Sequence, residues 1–205
     1  AFLQGVGHHL AAWKHPDVNP SGAVRLDHFK HLARIAEAAK FDAVFFADNV
    51  GLPAAPPGVQ TKGALPYYFE PLLLLATLAG VTERIGLVAT VSSTYLPPYH
   101  LARKFATLDQ ISEGRSGWNL VTSGSDFEAK NFGLDQQITH ATRYERAREY
   151  VDVVKGLWDS WEDEPYLFDK AGGQFFDPAK LHRLAHRGVH YEVHGDLQIE
   201  RPVQG

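Results

Sequence analysis

Segments with the period of a strand alternate with segments with the period of a helix along residues 1–161, and nothing else restricts the fold as much. AFLQGV (1–6) is short, apolar and bounded by glycine, the form of a buried strand. RLDHFKHLARIAEAAK (25–40) then sets Leu26, Phe29, Leu32, Ala33, Ala36 and Ala39 on one helical face. DAVFFAD (42–48) is a continuous apolar run ending in aspartate, as strands of a parallel sheet often are. A Gly/Pro-rich loop (51–66) leads to the helical FEPLLLLATLAGV (69–81). RIGLVATVSS (84–93) reads as strand, and PPYHLARKFATLDQIS (97–112) as helix with proline in its first turn. SGWNLVTS (116–123) is a fourth strand, and TRYERAREYVDVVKGLWDSW (142–161) a long amphipathic helix. Four β-then-α units predict an α/β fold: a parallel sheet with helices outside, either doubly wound or a (β/α)8 barrel. A barrel needs about 250 residues, so four units make only half of one.

After Trp161 the pattern changes. Residues 162–205 hold turn residues and short alternating pieces such as HYEVHG, which predicts an excursion carrying a β-hairpin. The closing RPVQG reads as the lead-in to a fifth strand. A half-sheet would leave strand edges unpaired, and methionine is absent even at position 1. The expectation is a single domain over 1–205 that is the amino-terminal part of a longer polypeptide.

The formal charge of −4, with no Lys/Arg cluster, argues against a nucleic-acid or anionic-membrane partner. With no cysteine, disulfides and thiolate metal sites are excluded, which fits a reducing cytoplasm. The opening AFLQGVGHH lacks the basic-then-apolar form of a signal peptide. The longest apolar run, PLLLLATLAGV (71–81), is too short to span a bilayer.

In parallel α/β folds ligands gather where strands end at their carboxyl side. Those positions hold His8 and His9, Asp48 and Asn49, Ser92 to Thr94, then Asn119 and Thr122 to Ser125. The set is polar, mostly neutral, and suits an uncharged heterocycle or sugar-like chain better than a pyrophosphate. His8 and His9 read equally as strand caps, Asp48 as a turn former, and Ser92 to Thr94 as ordinary turn residues. Asn119, between Trp118 and Leu120 in a strand expected to be buried, needs a partner from protein or ligand, since an unpaired buried amide costs about 1–3 kcal/mol. Thr142 and Glu145 match a capping box, which starts a helix at Thr142 with His140 just ahead and Tyr144 in its first turn. An anion at that helix end and an ordinary capped helix fit equally well. No GxGxxG follows a strand and no GxxxxGK[ST] is present, so the nucleotide fingerprints are missing. His182, His186, His190 and His194 recur every four residues, yet Gly188 and YEV break the helix that would align them as metal ligands, and no metal is expected.

GRSGWNLVTS (114–123), preceded by VTERIGLVATVSSTYLPPYHLARKFATLDQIS and followed by NFG and RYERAREY, resembles the bacterial luciferase-like flavin monooxygenases. FLQGVGHHLAAWKHP and FDAVFFADN fit the same branch, that of nitrilotriacetate, dibenzothiophene-sulfone and pristinamycin-type monooxygenases. The resemblance runs from residue 1 to 205. It implies a (β/α)8 TIM barrel with an excursion after the fourth helix, and a two-component, cytoplasmic enzyme that forms dimers or other homo-oligomers. It implies reduced FMN from a separate NAD(P)H:flavin reductase, with O2 used to oxygenate a small organic substrate, commonly with C–N or C–S cleavage. By position, Asp48, Thr94, Ser123, His140 and Tyr144 match flavin-contacting residues, and Asn119 fits the motif. His8 matches a histidine near the reactive face of the flavin, suited to acid/base work or to steadying a peroxide. In this family a serine from the later part of the barrel also holds the phosphate. The chain stops before it, so these residues alone are expected to bind FMN poorly. A deazaflavin-dependent oxidoreductase of the same superfamily and a non-catalytic flavin-binding paralogue are the alternatives.

Overall fold

The computed structural model describes residues 1–9, 11–52 and 69–204. The loop expected at 51–66 therefore lies, from residue 53 onward, outside the described residues, as do Tyr67 and Tyr68. The described residues form two compact units: Ala1–Ser92 with Arg115–Ile138, and Ser93–Gly114 with Thr139–Gly205.

The first unit is built on three parallel strands, β1 (Ala43–Phe46), β2 (Gly86–Ser92) and β3 (Ser116–Val121), in that order. The register pairs Val44 with Leu87 and Phe46 with Ala89, and side chains alternate in direction along a strand. One face therefore carries Val44, Phe46, Leu87 and Ala89, all buried. Against it lies helix α1 (Leu26–Ala38), whose Phe29 ring centroid is 5.8 Å from that of Phe46. Phe29, Ala33 and Ala36 are buried and Leu32 half-buried, whereas Leu26 and Ala39, at the two ends of the expected apolar stripe, are exposed. Helix α2 (Pro71–Ala79) begins where sequence rules place it. Proline occupies the first turn, and the Glu70 carboxylate accepts the Leu73 N–H at 2.7 Å. Its Leu72, Leu74, Leu75 and Leu78 are buried.

The opening segment departs from expectation. In place of a buried strand over 1–6, a single parallel bridge joins Phe2 to Phe45, with the Leu3 N–H donating to the Phe45 carbonyl at 3.0 Å. Phe2 is 44% exposed. The reason is positional: the segment lies outside β1 at the sheet edge, so only its inward side has a partner.

In the second unit, helix α3 (Pro98–Ser112) packs on the long helix α5 (His140–Trp158), and the Trp158 indole donates to the Ala102 carbonyl at 2.9 Å. α3 ends with Glu113 and Gly114 at φ 55° and 83°, and the Gly114 N–H returns to Asp109 O at 2.9 Å. The left-handed turn that leads into β3 is thus made by Glu113 and Gly114. Gly117 belongs to β3, where a Cβ would come within 3.0 Å of Val88. The expected excursion is two antiparallel hairpins, Tyr166–Asp169 with Gln174–Phe176 and Leu184–Arg187 with Glu192–Gly195. Trp161 is outside the helix that the sequence assigns it to. It bridges to Leu181, and its indole donates to the Leu197 carbonyl at 2.8 Å.

The second hairpin is fastened by Glu149. Its carboxylate meets His186 Nε2 at 3.1 Å and accepts the N–H groups of Val189, His190 and Tyr191 at 3.1, 2.9 and 2.8 Å. Desolvation pushes its pKa up, but the hydrogen bonds from His186, His190 and Tyr191 outweigh this and hold it down at about 2. The four evenly spaced histidines make separate contacts: His182 with Glu162, His186 with Glu149, His190 with Glu145 and His194 with Glu192. Among the described residues no group of three ligand-type side chains could hold a metal.

Candidate functional site

The sheet face opposite α1 carries Phe45, Val88, Thr90, Ser92, Asn119 and Val121, because these alternate with the residues buried against the helix. Its chemistry changes along the strands. At the amino end it is apolar; at the carboxyl end Thr90, Ser92 and Asn119 line up on neighbouring strands. The side-chain amide of Asn119 donates to Thr90 Oγ1 at 2.9 Å. The partner that Asn119 requires is thus supplied by the protein for one of its N–H groups. β3 is half-buried along its whole length rather than buried, since the described sheet has no strand beyond it. Trp118, on the opposite face, is half-buried and donates from its indole to the Val91 carbonyl at 3.1 Å.

Just past the strand ends sit Asp48, after β1, and Ser123, after β3. Ser123 has φ 53°, a left-handed conformation uncommon for a residue with a side chain. Its Oγ lies 3.0 Å from Ser92 Oγ and 3.4 Å from Glu128 Oε1, and the Gly124 N–H points to Glu128 Oε2 at 3.4 Å. Glu128 is only 4% exposed and lies in the short helix α4 (Asp126–Lys130). Sequence reasoning does not single it out: a glutamate among polar residues resembles any surface position. Asn131, just after α4, donates to the Val50 carbonyl at 2.8 Å and so ties α4 to the loop that carries Asp48.

Burial pushes the Asp48 carboxyl up to about 6, the Glu70 carboxylate adds to the rise, the Asn49 backbone hydrogen bond opposes it and Glu128 adds again. Between about pH 4 and 6 the folded protein therefore holds a proton that the unfolded chain has released, so stability falls as pH rises through that window and is flat above it. The shift corresponds to about 3 kcal/mol at most, and to about 1–2 kcal/mol once partial solvent exposure is allowed for. Asp48→Asn is expected to raise the denaturation midpoint of the ligand-free protein at pH 7 and to leave it unchanged near pH 3.5, as thermal melts at the two pH values would report.

His8 is exposed. Its ring stands edge-on to Phe2 with centroids 4.5 Å apart, its Nε2 is 3.5 Å from the Phe2 carbonyl, and Phe2 in turn packs on Phe45 at 4.9 Å. His8, Asp48, Asn119 and Ser123 all belong to the first unit.

Thr94, His140 and Tyr144 belong to the second. Thr94 is half-buried in the turn between Ser92 and α3. α5 begins two residues before the expected capping box. Thr139 is its N-cap and accepts the Thr142 N–H at 3.4 Å, while the two threonine hydroxyls meet at 2.9 Å. That exchange takes the place of the expected Thr142–Glu145 pairing. The shift puts His140 at the first helical position, with its ring 4.5 Å from that of Tyr144 and tilted by 31°. Tyr144 is 50% exposed, and the first turn contains no acidic residue, so the free N–H groups of the helix end are not neutralised from within.

A family profile described as luciferase-like monooxygenase matches residues 7–205. The chain is 47% identical over 205 residues to an N-acetyl-S-(2-succino)cysteine monooxygenase of Bacillus subtilis (strain 168), covering 100% of this chain and 45% of that protein. It is 44% identical over 205 residues to a dibenzothiophene-sulfone monooxygenase of Rhodococcus erythropolis, covering 98% of this chain and 45% of the relative. Among solved structures, a riboflavin lyase with modified FMN and substrate riboflavin aligns with a TM-score of 0.89 at 32% identity, over 99% of this chain and 46% of the other. The chain thus spans about half the length of the relatives it matches.

Proposed function

The chain belongs to the luciferase-like monooxygenase family, and on that footing we propose that the protein carrying it is a two-component, FMN-dependent monooxygenase of small organic substrates. The strands β1 to β3 and the bridging segment at Phe2 are then the first four staves of a (β/α)8 barrel. One observation carries the reading. A neutral hydrogen-bonding row, Thr90–Asn119 with Ser92 and Ser123, stands at the carboxyl ends of parallel strands, on the face that also holds Phe45 and its partner Phe2.

That donor set suits a flat heterocycle. Amide and hydroxyl groups match the polar edge of a flavin without presenting a full charge, and the aromatic side chains offer flat apolar surface. The other half of FMN is an anion, and the first turn of α5 offers a helix amino end without a carboxylate, together with the His140 and Tyr144 side chains. The residues present therefore fit the cofactor. By their positions in the family motif, Asp48, Thr94, Asn119, Ser123, His140 and Tyr144 are the proposed flavin-contacting residues, and His8 the group that would serve at the reacting side. Bound FMN, reduced by a separate flavin reductase, supplies the electrons with which one atom of O2 enters the substrate while the other leaves as water. Asp48, largely protonated up to about pH 6, can act below that pH as a hydrogen-bond donor to a carbonyl-type acceptor, which an ionised aspartate cannot.

The two relatives are named for substrates in which carbon is bound to sulfur. A small organosulfur compound, cleaved at C–S after oxygenation, is accordingly the substrate class proposed here, with C–N cleavage second. Among the described residues no helix is long and apolar enough to cross a membrane. A cytoplasmic homo-oligomer served transiently by the reductase completes the proposal. The test uses the full-length protein with a flavin reductase, NADH and FMN. Micromolar binding of FMN and O2-dependent consumption of an aryl or alkyl sulfone are expected. FMN binding without any oxygenated product across sulfone, thioether and amine panels would reject the monooxygenase reading.

A further inference from the structure

The most unusual side chain near the strand ends is one that neither the family motif nor the sequence singles out. Glu128 is 4% exposed, and among the described residues it forms no ion pair. A carboxylate withdrawn from water to that degree needs donors, and among the described residues these are the Ser123 hydroxyl and the Gly124 N–H, both at 3.4 Å. Ser123 has one proton and two acceptors within reach, Ser92 Oγ at 3.0 Å and Glu128 Oε1 at 3.4 Å. Its left-handed backbone keeps the hydroxyl in this place, and Ser92 itself is buried at the end of the central strand.

We propose that Glu128 is a positioning residue of the cofactor site: its buried carboxylate keeps the Ser123 proton turned inward, so that Ser123 meets a ligand only as a hydrogen-bond acceptor. The inference rests on the flavin reading and deepens it. Ser123 Oγ is the donor in both contacts, to Ser92 Oγ and to Glu128 Oε1, so its one proton is directed inward. Whether the Ser123 proton goes to Glu128 or to Ser92, it is spent within the protein, and the remaining lone pair of Ser123 is the feature offered outward. Such a position selects an N–H or O–H of the ligand and rejects a carbonyl. A glutamine at 128 reverses the logic. Its amide N–H can donate to Ser123 and free the serine proton to turn outward, where it opposes a ligand donor.

The test is a double-mutant cycle on the full-length protein with FMN as the probe, read by equilibrium titration and by the visible absorption bands of the bound flavin. Glu128→Gln is nearly isosteric, and its melting temperature is measured alongside to confirm folding. About tenfold weaker FMN binding is expected for Glu128→Gln and again for Ser123→Ala, as for the loss of one hydrogen bond to a charged network. The double variant is expected to be no weaker than either single one, and the flavin bands to shift in Glu128→Gln as in Ser123→Ala. Additive losses in the cycle, or an FMN affinity of Glu128→Gln within twofold of the parent with unshifted bands, would overturn the assignment. Should the parent protein fail to bind FMN at all, the flavin reading falls with it, an outcome distinct from either of these.

Discussion

Replacing His8 by alanine is expected to leave FMN bound and to cut oxygenation by about 10²- to 10⁴-fold, the range for removal of a group that moves a proton in the reaction. The structure explains why the loss would be chemical and not one of folding. His8 is exposed, its Nε2 stands 3.5 Å from the Phe2 carbonyl, at the outer limit of a hydrogen bond, and its ring stands edge-to-face with that of Phe2. An edge-to-face pair of that kind contributes about 0.5–1.5 kcal/mol, too little to unfold a domain. What remains is position. Phe2 bridges to Phe45, and Phe45 shares a sheet face with Thr90 and Asn119, so the imidazole is linked through the Phe2 ring to the face whose polar end is proposed to hold the flavin. His8→Asn keeps a hydrogen-bonding side chain but cannot carry a proton at neutral pH, and it should be nearly as inactive as His8→Ala. FMN titration and single-turnover product yield, measured side by side, separate the alternatives. Unchanged turnover in His8→Ala removes His8 from the mechanism, and lost FMN affinity makes it a binding contact.

The sheet was legible where the chain is apolar over several residues in a row. VFF and GLVATVS admit no other packing, and both are strands at the expected places. Legibility declined at the edges, where burial depends on a neighbour that local sequence does not contain. AFLQGV is as apolar as the central strands, yet it makes one bridge because only β1 stands beside it. Helix starts were ambiguous for a related reason. Thr139 and Thr142 are both competent caps, and Thr139 is chosen because its hydroxyl reaches the Thr142 N–H, a fact about backbone geometry. The polar row at the strand ends was readable from order alone, since in a parallel sheet the residues after each strand must gather on one side. Glu128 was not, because its burial follows from how α4 folds back toward Ser92. The histidine series is a different case: its regular spacing would align on an unbroken helix, Gly188 and YEV argue against that helix, and the four side chains meet four separate glutamates.

A larger effect on stability is expected at the other end of the strands. Arg115 enters β3 with its guanidinium spread over the end of α2 and the loop that follows. One nitrogen donates to Thr82 Oγ1 and the Ile85 carbonyl, each at 3.0 Å, and the other to the carbonyls of Ala79 and Thr82 at 3.2 and 3.1 Å. The same loop is held from its opposite polarity by Glu37, whose Oε1 accepts the N–H groups of Glu83, Arg84 and Ile85 at 2.9, 2.7 and 3.0 Å. Cation on carbonyls and anion on amides together fix the entry to β2, where Arg115 O also accepts the Leu87 N–H at 2.8 Å. Arg115→Ala strips the cation from three carbonyls and from the buried Thr82 hydroxyl; a hydrogen bond to a charged group contributes about 1.5–3 kcal/mol net, and bonds that share one side chain do not add in full. A net loss of about 3–5 kcal/mol is expected, which lowers the melting temperature of the full-length protein by roughly 10 °C. Arg115→Lys should recover less than half of this, because a single ammonium cannot reproduce the planar fork that reaches all four acceptors. Below the transition the FMN affinity of both variants should match the parent, since Arg115 stands at the amino end of the strands and the polar row at the carboxyl end. Calorimetric scans of the three proteins decide the matter: a loss under about 1 kcal/mol for Arg115→Ala, or full recovery in Arg115→Lys, would show that water replaces the guanidinium without penalty.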